Sequence, residues 1–202
     1  MSIHIRDVRE HELDSVLALN NGAGPAILPL DAARVRLLFD RADYFRVAIV
    51  DGHIAGFLVA FTEGAEYDSS NFRWFKDHLD AFVYIDRIVV ASSRRGAGVG
   101  RVFYADIQSF AEVRRPHIAC EVFLEDGNEA ALLFHGTFGF HEAGQHVMSE
   151  SGKHASMLVK PLQAYEWVRD TYLHGRDGEL PSVPWLSERA RDGAEGTRAT
   201  GT

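Results

Sequence analysis

Residues 94–101 read RRGAGVGR, three glycines on alternate positions with arginines at both ends. A glycine inside a regular element costs about 0.5–1 kcal/mol relative to alanine, so three of them need a reason. The run follows AFVYIDRIVVA at 81–91, apolar on both faces and therefore read as a central strand. It leads into Val99, Phe103, Ile107 and Phe110, which are spaced as one face of a helix. Strand, glycine turn and helix together aim unpaired backbone N–H groups and the positive end of a helix dipole at one point. Such a point favours an anion, and Arg94, Arg95 and Arg101 could add charge-assisted bonds to a phosphate. Spacing excludes two common phosphate loops. A Walker A loop ends in Gly-Lys-Ser/Thr, whereas Gly100 is followed by Arg101-Val102. A dinucleotide fingerprint begun at Gly96 and Gly98 needs its third glycine where Arg101 stands.

The surrounding elements are legible in outline. A short extended start at 4–6 precedes a capping-box pattern at Asp7–Glu10 and a helix over 8–20. A second helix starts at Asp31. Two β-rich runs, 44–50 and 53–61, are joined by Asp51-Gly52, a hairpin signal. Residues 63–78, EGAEYDSSNFRWFKDH, show no clear period and read as a long binding loop or lid. A strand at 118–124, a helix opened by Asp126-Gly127-Asn128 and running to about 137, the closing Phe138-Gly139-Phe140, and a last strand at 155–160 complete the pattern. Residues 162–176 suggest one more helix, against the domain or a partner, and 177–202 a flexible tail too poor in apolar residues to fold.

Composition narrows the function classes. With 46% hydrophobic residues the chain can bury a core, and its single cysteine, Cys120, leaves no internal disulfide. The longest apolar runs are far too short to cross a bilayer, and no charged apolar leader opens the sequence, so a cytoplasmic protein without membrane contact is expected. A net charge of −8 argues against nucleic acid and suits a cationic partner such as an amine. The ten histidines show no HExxH or Cys/His ligand spacing, so no metal is expected.

Read as V-x-x-x-x-R-x-x-G-x-G, the segment through Val90, Arg95, Gly98 and Gly100 resembles the acyl-CoA motif of the GNAT superfamily, the Gcn5-related N-acetyltransferases. Residues 128–140, NEAALLFHGTFGF, resemble the same family's Asn-x-x-Ala helix and terminal Gly-Phe. The resemblance covers 1–161. It implies an α/β fold of the α+β type, a mixed, mostly antiparallel sheet of six to seven strands flanked by about four helices, whose central parallel pair splays apart. It further implies that backbone N–H groups across Arg95, Gly96, Ala97, Gly98, Val99, Gly100 and Arg101 hold the CoA pyrophosphate. The main chain of Ile88, Val89 and Val90 would pair with the pantetheine arm as an added strand, with an N–H near Val89 bonding the thioester carbonyl. Asn128 would contact the cofactor near its thiol end.

The acid and base are less clearly signalled. Many family members protonate the departing thiolate from a tyrosine of the Asn-x-x-Ala helix, and here that position is His135. A histidine can donate near neutral pH, and packing is the alternative. Asp86 sits where some relatives carry a catalytic carboxylate, and it reads equally as an ion-paired strand residue. Glu121 is a second candidate base with the same two readings. Cys120, in an apolar strand, reads as core. Tyr67, Phe72, Trp74 and Phe75 could wall an acceptor pocket, with Glu63, Glu66 and Asp68 drawing in an amine, or could simply pin the loop. The leading expectation is acetyl transfer from acetyl-CoA to a primary amine of a small molecule. A non-catalytic acyl-CoA sensor and a protein lysine or N-terminal acetyltransferase are the alternatives, and the resemblance also suggests a homodimer.

Overall fold

A computed structural model describes residues 2–24, 27–125, 128–149 and 151–173. Seven strands form one sheet in the order β1-β2-β3-β4-β5-β7-β6. They are β1 (Ile3–Asp7), β2 (Tyr44–Val50), β3 (His53–Thr62), β4 (Val83–Val90), β5 (His117–Phe123), β6 (His141–Val147) and β7 (His154–Pro161). Every pairing is antiparallel except β4 with β5. Helices α1 (Leu13–Asn21), α2 (Ala32–Arg41) and α3 (Ser70–His78) cover one face, α4 (Val99–Glu112) and α5 (Glu129–Thr137) the other. The expected class and parallel pair are present, with α3 and β6 added to the expected elements.

Local chemistry explains most boundaries. The β2–β3 hairpin turns on Asp51 and Gly52, both at positive φ (52° and 81°), the twist-matched two-residue turn. Asp31 caps α2 by accepting from the Arg34 N–H at 2.7 Å. The capping box lies two residues later than expected. Arg9 is the N-cap of a 3₁₀ turn over Glu10–Glu12, and Glu12 accepts from the Arg9 N–H at 2.9 Å. Asp7 is committed instead to Arg46, at 3.0 Å. The segment 63–78 is not one loop, because Ser69 caps α3 and Phe72 and Phe75 enter the core. Its neighbour β6 is a mostly exposed edge strand without apolar alternation, hence silent in sequence. After β7, Tyr165–Val168 form a short turn of helix, α6, followed by a π-helical turn at Arg169–Leu173. Tyr165 packs on the α4 face while Trp167 and Tyr172 are exposed. The expected remainder of this helix, and the tail at 177–202, lie outside the described residues.

Two irregularities around β4 shape the interior. Its pairing with β5 holds only for Val83–Ile118, Tyr84–Ala119 and Ile85–Cys120, so the strands part from Asp86 and Glu121 onward. Against β3, the register passes from Ala60–Ile85 to Val59–Arg87, leaving Asp86 as the extra residue of a β-bulge. The bulge turns Asp86 and Arg87 to the same face. Regular alternation would send them to opposite ones.

Gly56 on β3 holds this geometry. A Cβ there would lie 2.6 Å from the Val89 carbonyl oxygen and 3.2 Å from Phe103 Cε2. We expect Gly56→Ala to lower the urea unfolding free energy by about 1–3 kcal/mol, while Gly64→Ala, with open space around its Cβ, leaves it nearly unchanged. Equal midpoints for both variants would show that β3 and β4 are not held at this spacing.

Candidate functional site

The gap between β4 and β5 opens into a cavity of about 860 Å³ that reaches from the glycine run to α2 and residues 67–69. Because the gap passes through the sheet, groups on both faces line one continuous space.

On the α4 face, Gly96 and Gly98 adopt φ of 77° and 86°, conformations that only glycine takes without strain. Gly98 is the N-cap of α4, whose first helical bond runs from the Val102 N–H to the Gly98 carbonyl. The N–H groups of Val99, Gly100 and Arg101 therefore have no partner within the helix and stand at the cavity wall. Ala97 does not line the cavity, and its N–H closes the turn onto Arg94 O at 3.3 Å. Arg95 Nη2 donates to the Ala23 carbonyl at 2.9 Å, Arg94 pairs with Asp51 at 3.0 Å, and Arg101 lies over the Phe138 ring.

Along β4, the Ala91 N–H donates to Ala55 O on β3 at 2.9 Å. Period-two alternation turns the Val89 amide toward β3 as well, and turns the amides of Ile88 and Val90 toward the gap. The open edge offered to an extended ligand is thus Ile88 and Val90 rather than Val89. Asn128, at the start of α5, lines the cavity and gives its Nδ2 hydrogen to Phe123 O at 2.9 Å, tying β5 to α5.

The carboxylates of the gap have different surroundings. Asp86, its side chain 6% exposed, accepts from the Tyr67 hydroxyl and from Arg87 Nε at 2.7 Å. Arg87 also donates to Asn20 Oδ1 at 2.9 Å. Burial works against the Arg87 charge and Asp86 more than restores it, so its pKa is raised. Burial, followed by Asp86, also raises the Tyr67 hydroxyl, which keeps its proton. Asp86 is therefore held in an ion pair. Among the described residues Glu121 has no cation within ion-pair distance. Among those residues it accepts from the Tyr84 hydroxyl alone, at 3.0 Å, and its buried Oε2 meets no partner. Burial first, then the charge of Asp86, pushes its pKa up to about 8, tempered by Asn71 and Tyr84. The Asn71 amide lies near enough to temper the shift, yet neither of its polar atoms reaches hydrogen-bond geometry.

His135 lines the cavity from α5, within an aromatic group of Tyr104, Phe134 and Phe140. Its Nδ1 lies 2.7 Å from Ala131 O, which makes Nδ1 the protonated nitrogen and leaves Nε2 as an acceptor. Burial lowers its pKa, with Ala131 opposing, so the neutral ring is favoured. An acid role for His135 rests on its minor imidazolium form. Burial raises the Cys120 thiol well above its ordinary value, so it stays protonated and inert.

The acceptor features expected at 63–78 are only partly assembled. Tyr67 lines the cavity, but Phe72 and Phe75 are core and Trp74 packs on β6, where a Cβ at Gly144 would meet its ring at 2.8 Å. The three carboxylates expected to draw in an amine are paired, Glu63 with Arg115 at 2.6 Å, Glu66 with Arg41 and Asp68 with Arg73. Sequence reasoning missed Tyr84 and Asn71 beside Glu121, and Arg34 and Arg87 in the cavity wall. Among the described residues no cluster suited to a metal ion occurs.

A folded pKa near 8 against an ordinary value of 4.5 has a definite sign. The raised group stabilises the fold in its protonated form, and that contribution is lost as pH rises through about 8. We expect wild type to lose stability relative to Glu121→Gln between about pH 5 and about pH 9, read from urea midpoints. Parallel curves would place Glu121 in solvent.

The sequence pattern described as the acetyltransferase (GNAT) family matches residues 13–140. No curated protein matches the chain. Among solved structures, Ard1 from Thermoplasma volcanium aligns with a TM-score of 0.64 at 18% identity, over 80% of this chain and 99% of that one. The ribosomal-protein-alanine N-acetyltransferase from Brucella melitensis gives 0.60 at 26% identity, over 79% and 99%. Arabidopsis thaliana Naa50, in complex with the bisubstrate analogue CoA-Ac-MVNAL, gives 0.58 at 19% identity, over 79% and 99%.

Proposed function

The chain belongs to the acetyltransferase (GNAT) family, and from that premise we propose that it moves the acetyl group of acetyl-CoA directly onto the primary amine of a small molecule. One observation carries the reading. The β4–β5 gap connects a helix start rich in free N–H groups with a buried carboxyl that has an unpartnered oxygen. The cavity, about 860 Å³, is in the range of small-ligand clefts.

Acetyl-CoA would supply the thioester carbonyl. In this reading the N–H groups of Val99, Gly100 and Arg101 hold the pyrophosphate, and the free edge at Ile88 and Val90 aligns the pantetheine arm. Ionised Glu121 takes a proton from the attacking amine as the C–N bond forms and the C–S bond breaks. Its pKa near 8 lies close to working pH, where a general base serves best. Asp86, fixed by Arg87 and Tyr67, adds its charge to the burial that raises Glu121. The leaving thiolate needs a proton, and His135 could deliver one only from Nε2.

A second reading has one observation behind it, the 26% identity to the ribosomal-protein-alanine N-acetyltransferase. It makes the acceptor a protein N-terminus.

Titration calorimetry with acetyl-CoA, beside wild type and a Gly98→Glu variant checked for folding by circular dichroism, tests the cradle. Binding lost in the variant is expected. Thiol release over a panel of small amines and alanine-starting peptides then ranks the two acceptor readings. Binding without release on any acceptor would favour a sensor.

Turnover should rise with pH and level off above about 8, and Glu121→Gln should cut kcat by about 10²–10⁴ and flatten that rise. An unchanged profile would remove Glu121 as base. For His135→Ala, about a tenfold or greater fall in kcat with unchanged acetyl-CoA affinity would support the acid role. The neutral ring leads us to expect a smaller effect.

A further inference from the structure

Arg34 lies in the first turn of α2 and lines the cavity on the α1–α3 face, across the sheet from the glycine run. Its guanidinium carbon sits 4.8 Å from the centroid of the Tyr67 ring, and Nη2 donates to the Asp68 carbonyl at 3.3 Å. The ring beneath it is held from two sides. Tyr67 stacks on Phe61 at 4.1 Å and gives its hydroxyl hydrogen to Asp86. A guanidinium placed over a fixed ring is restrained in position, while the donors it has not used stay available to a planar anion.

The charges around Arg34 are otherwise matched. Asp68 is paired with Arg73, Glu66 with Arg41, Glu63 with Arg115 and Asp86 with Arg87. Asp31 is occupied at the cap of α2. Arg34 alone of this group has no carboxylate within ion-pair distance among the described residues, in a chain whose net charge is −8. With acids in excess, an arginine held on a ring in a cavity wall without a carboxylate is a prepared anion site.

Given the acetyl-transfer reading, on which this inference rests, the anion is assigned to the acceptor. The groups suited to the donor's phosphates stand on the α4 face, whereas Arg34 stands on the opposite one. We propose that Arg34 anchors a carboxylate of the acceptor, so that the substrate class is a primary amine carrying its own carboxylate group. The anchor holds the carboxylate end against Tyr67 while the amine end extends toward Glu121 in the gap. Two sources share this chemistry, a free amino acid and a peptide whose first residue is Asp or Glu.

The test compares kcat and KM at saturating acetyl-CoA for free amino acids, their carboxamides, and peptides starting with Asp, Glu, Asn or Gln. Wild type is set beside Arg34→Gln and Arg34→Lys. We expect carboxylate acceptors to exceed their amides by about ten- to a hundredfold in kcat/KM, the range of a charge-assisted bond. Arg34→Gln should raise KM for the carboxylate acceptors by a similar factor, with kcat and acetyl-CoA affinity nearly unchanged and the amides unaffected. Arg34→Lys should restore part of the loss. Preference for free amino acids or for acidic peptides identifies the source.

Equal rates for acids and amides, or an equal loss on both in Arg34→Gln, would overturn the proposal. If no acceptor releases thiol, the acetyl-transfer reading fails separately. Calorimetric titration of the same acids and amides into wild type and Arg34→Gln then decides the anchor. Acid binding that needs Arg34 supports it, and its absence overturns it.

Discussion

Strands β4 and β5 run parallel for three residue pairs and then separate, and the site depends on that separation. A parallel pair needs a crossover, here α4, and the turn into α4 brings the glycine run to the mouth of the gap. Neither strand lacks support where they part. β4 remains paired with β3 to Val90, and β5 with β7 along its whole length. The unmatched backbone is confined to the facing edges, where a ligand backbone can complete the ladder at no cost in refolding. In the proposed reading an extended arm finds an edge already shaped, and its far end meets the side chains at the point of divergence.

Asp86 and Glu121 stand at that point, and their difference follows from position. The bulge places Asp86 next to Arg87 on one face, and Tyr67 adds a second donor. A buried carboxylate with its cation and a second donor in place has both partners that burial requires. Glu121 lies in an unbulged strand between Cys120 and Val122, where Asn71 and the Tyr84 hydroxyl offset burial only in part. Burial raises the unpaired Glu121 first, and the like charge of Asp86 in the same gap raises it further. The pair thus divides its work, one carboxylate holding structure and tuning the other.

What could be read from sequence was what is encoded locally. The Asp51-Gly52 hairpin, the Asp31 cap and the glycine turn into α4 each rest on contiguous residues with one favoured geometry. Helix α3 escaped notice because its buried face mixes Ser70 and Asn71 with Phe72 and Phe75, which blurs the apolar period. Strand β6 carries an edge's polar pattern. The capping box was displaced because Asp7 serves Arg46 across the β1–β2 ladder. Neighbours in a regular strand point apart, so the Asp86–Arg87 pair becomes visible only with the bulge. Arg34 on Tyr67 is a contact between distant segments with no local signature.

The arrangement of arginines then follows from the chain's acidity. Carboxylates outnumber cations, so an arginine on the surface readily finds one, and those at 41, 73 and 115 have done so. Staying unmatched requires a place that carboxylates do not reach. A ring supplies it for Arg34, and the turn into α4 supplies backbone donors that need no counterion. The two anion-favouring places lie on opposite faces of the sheet. Separation lowers repulsion between two negative ligands, and between them stand a buried carboxyl that favours its neutral form and a carboxylate already balanced by arginine. Under the proposed acceptor class, a donor and an acceptor that both carry negative charge would share one cavity with their repulsion reduced by that separation.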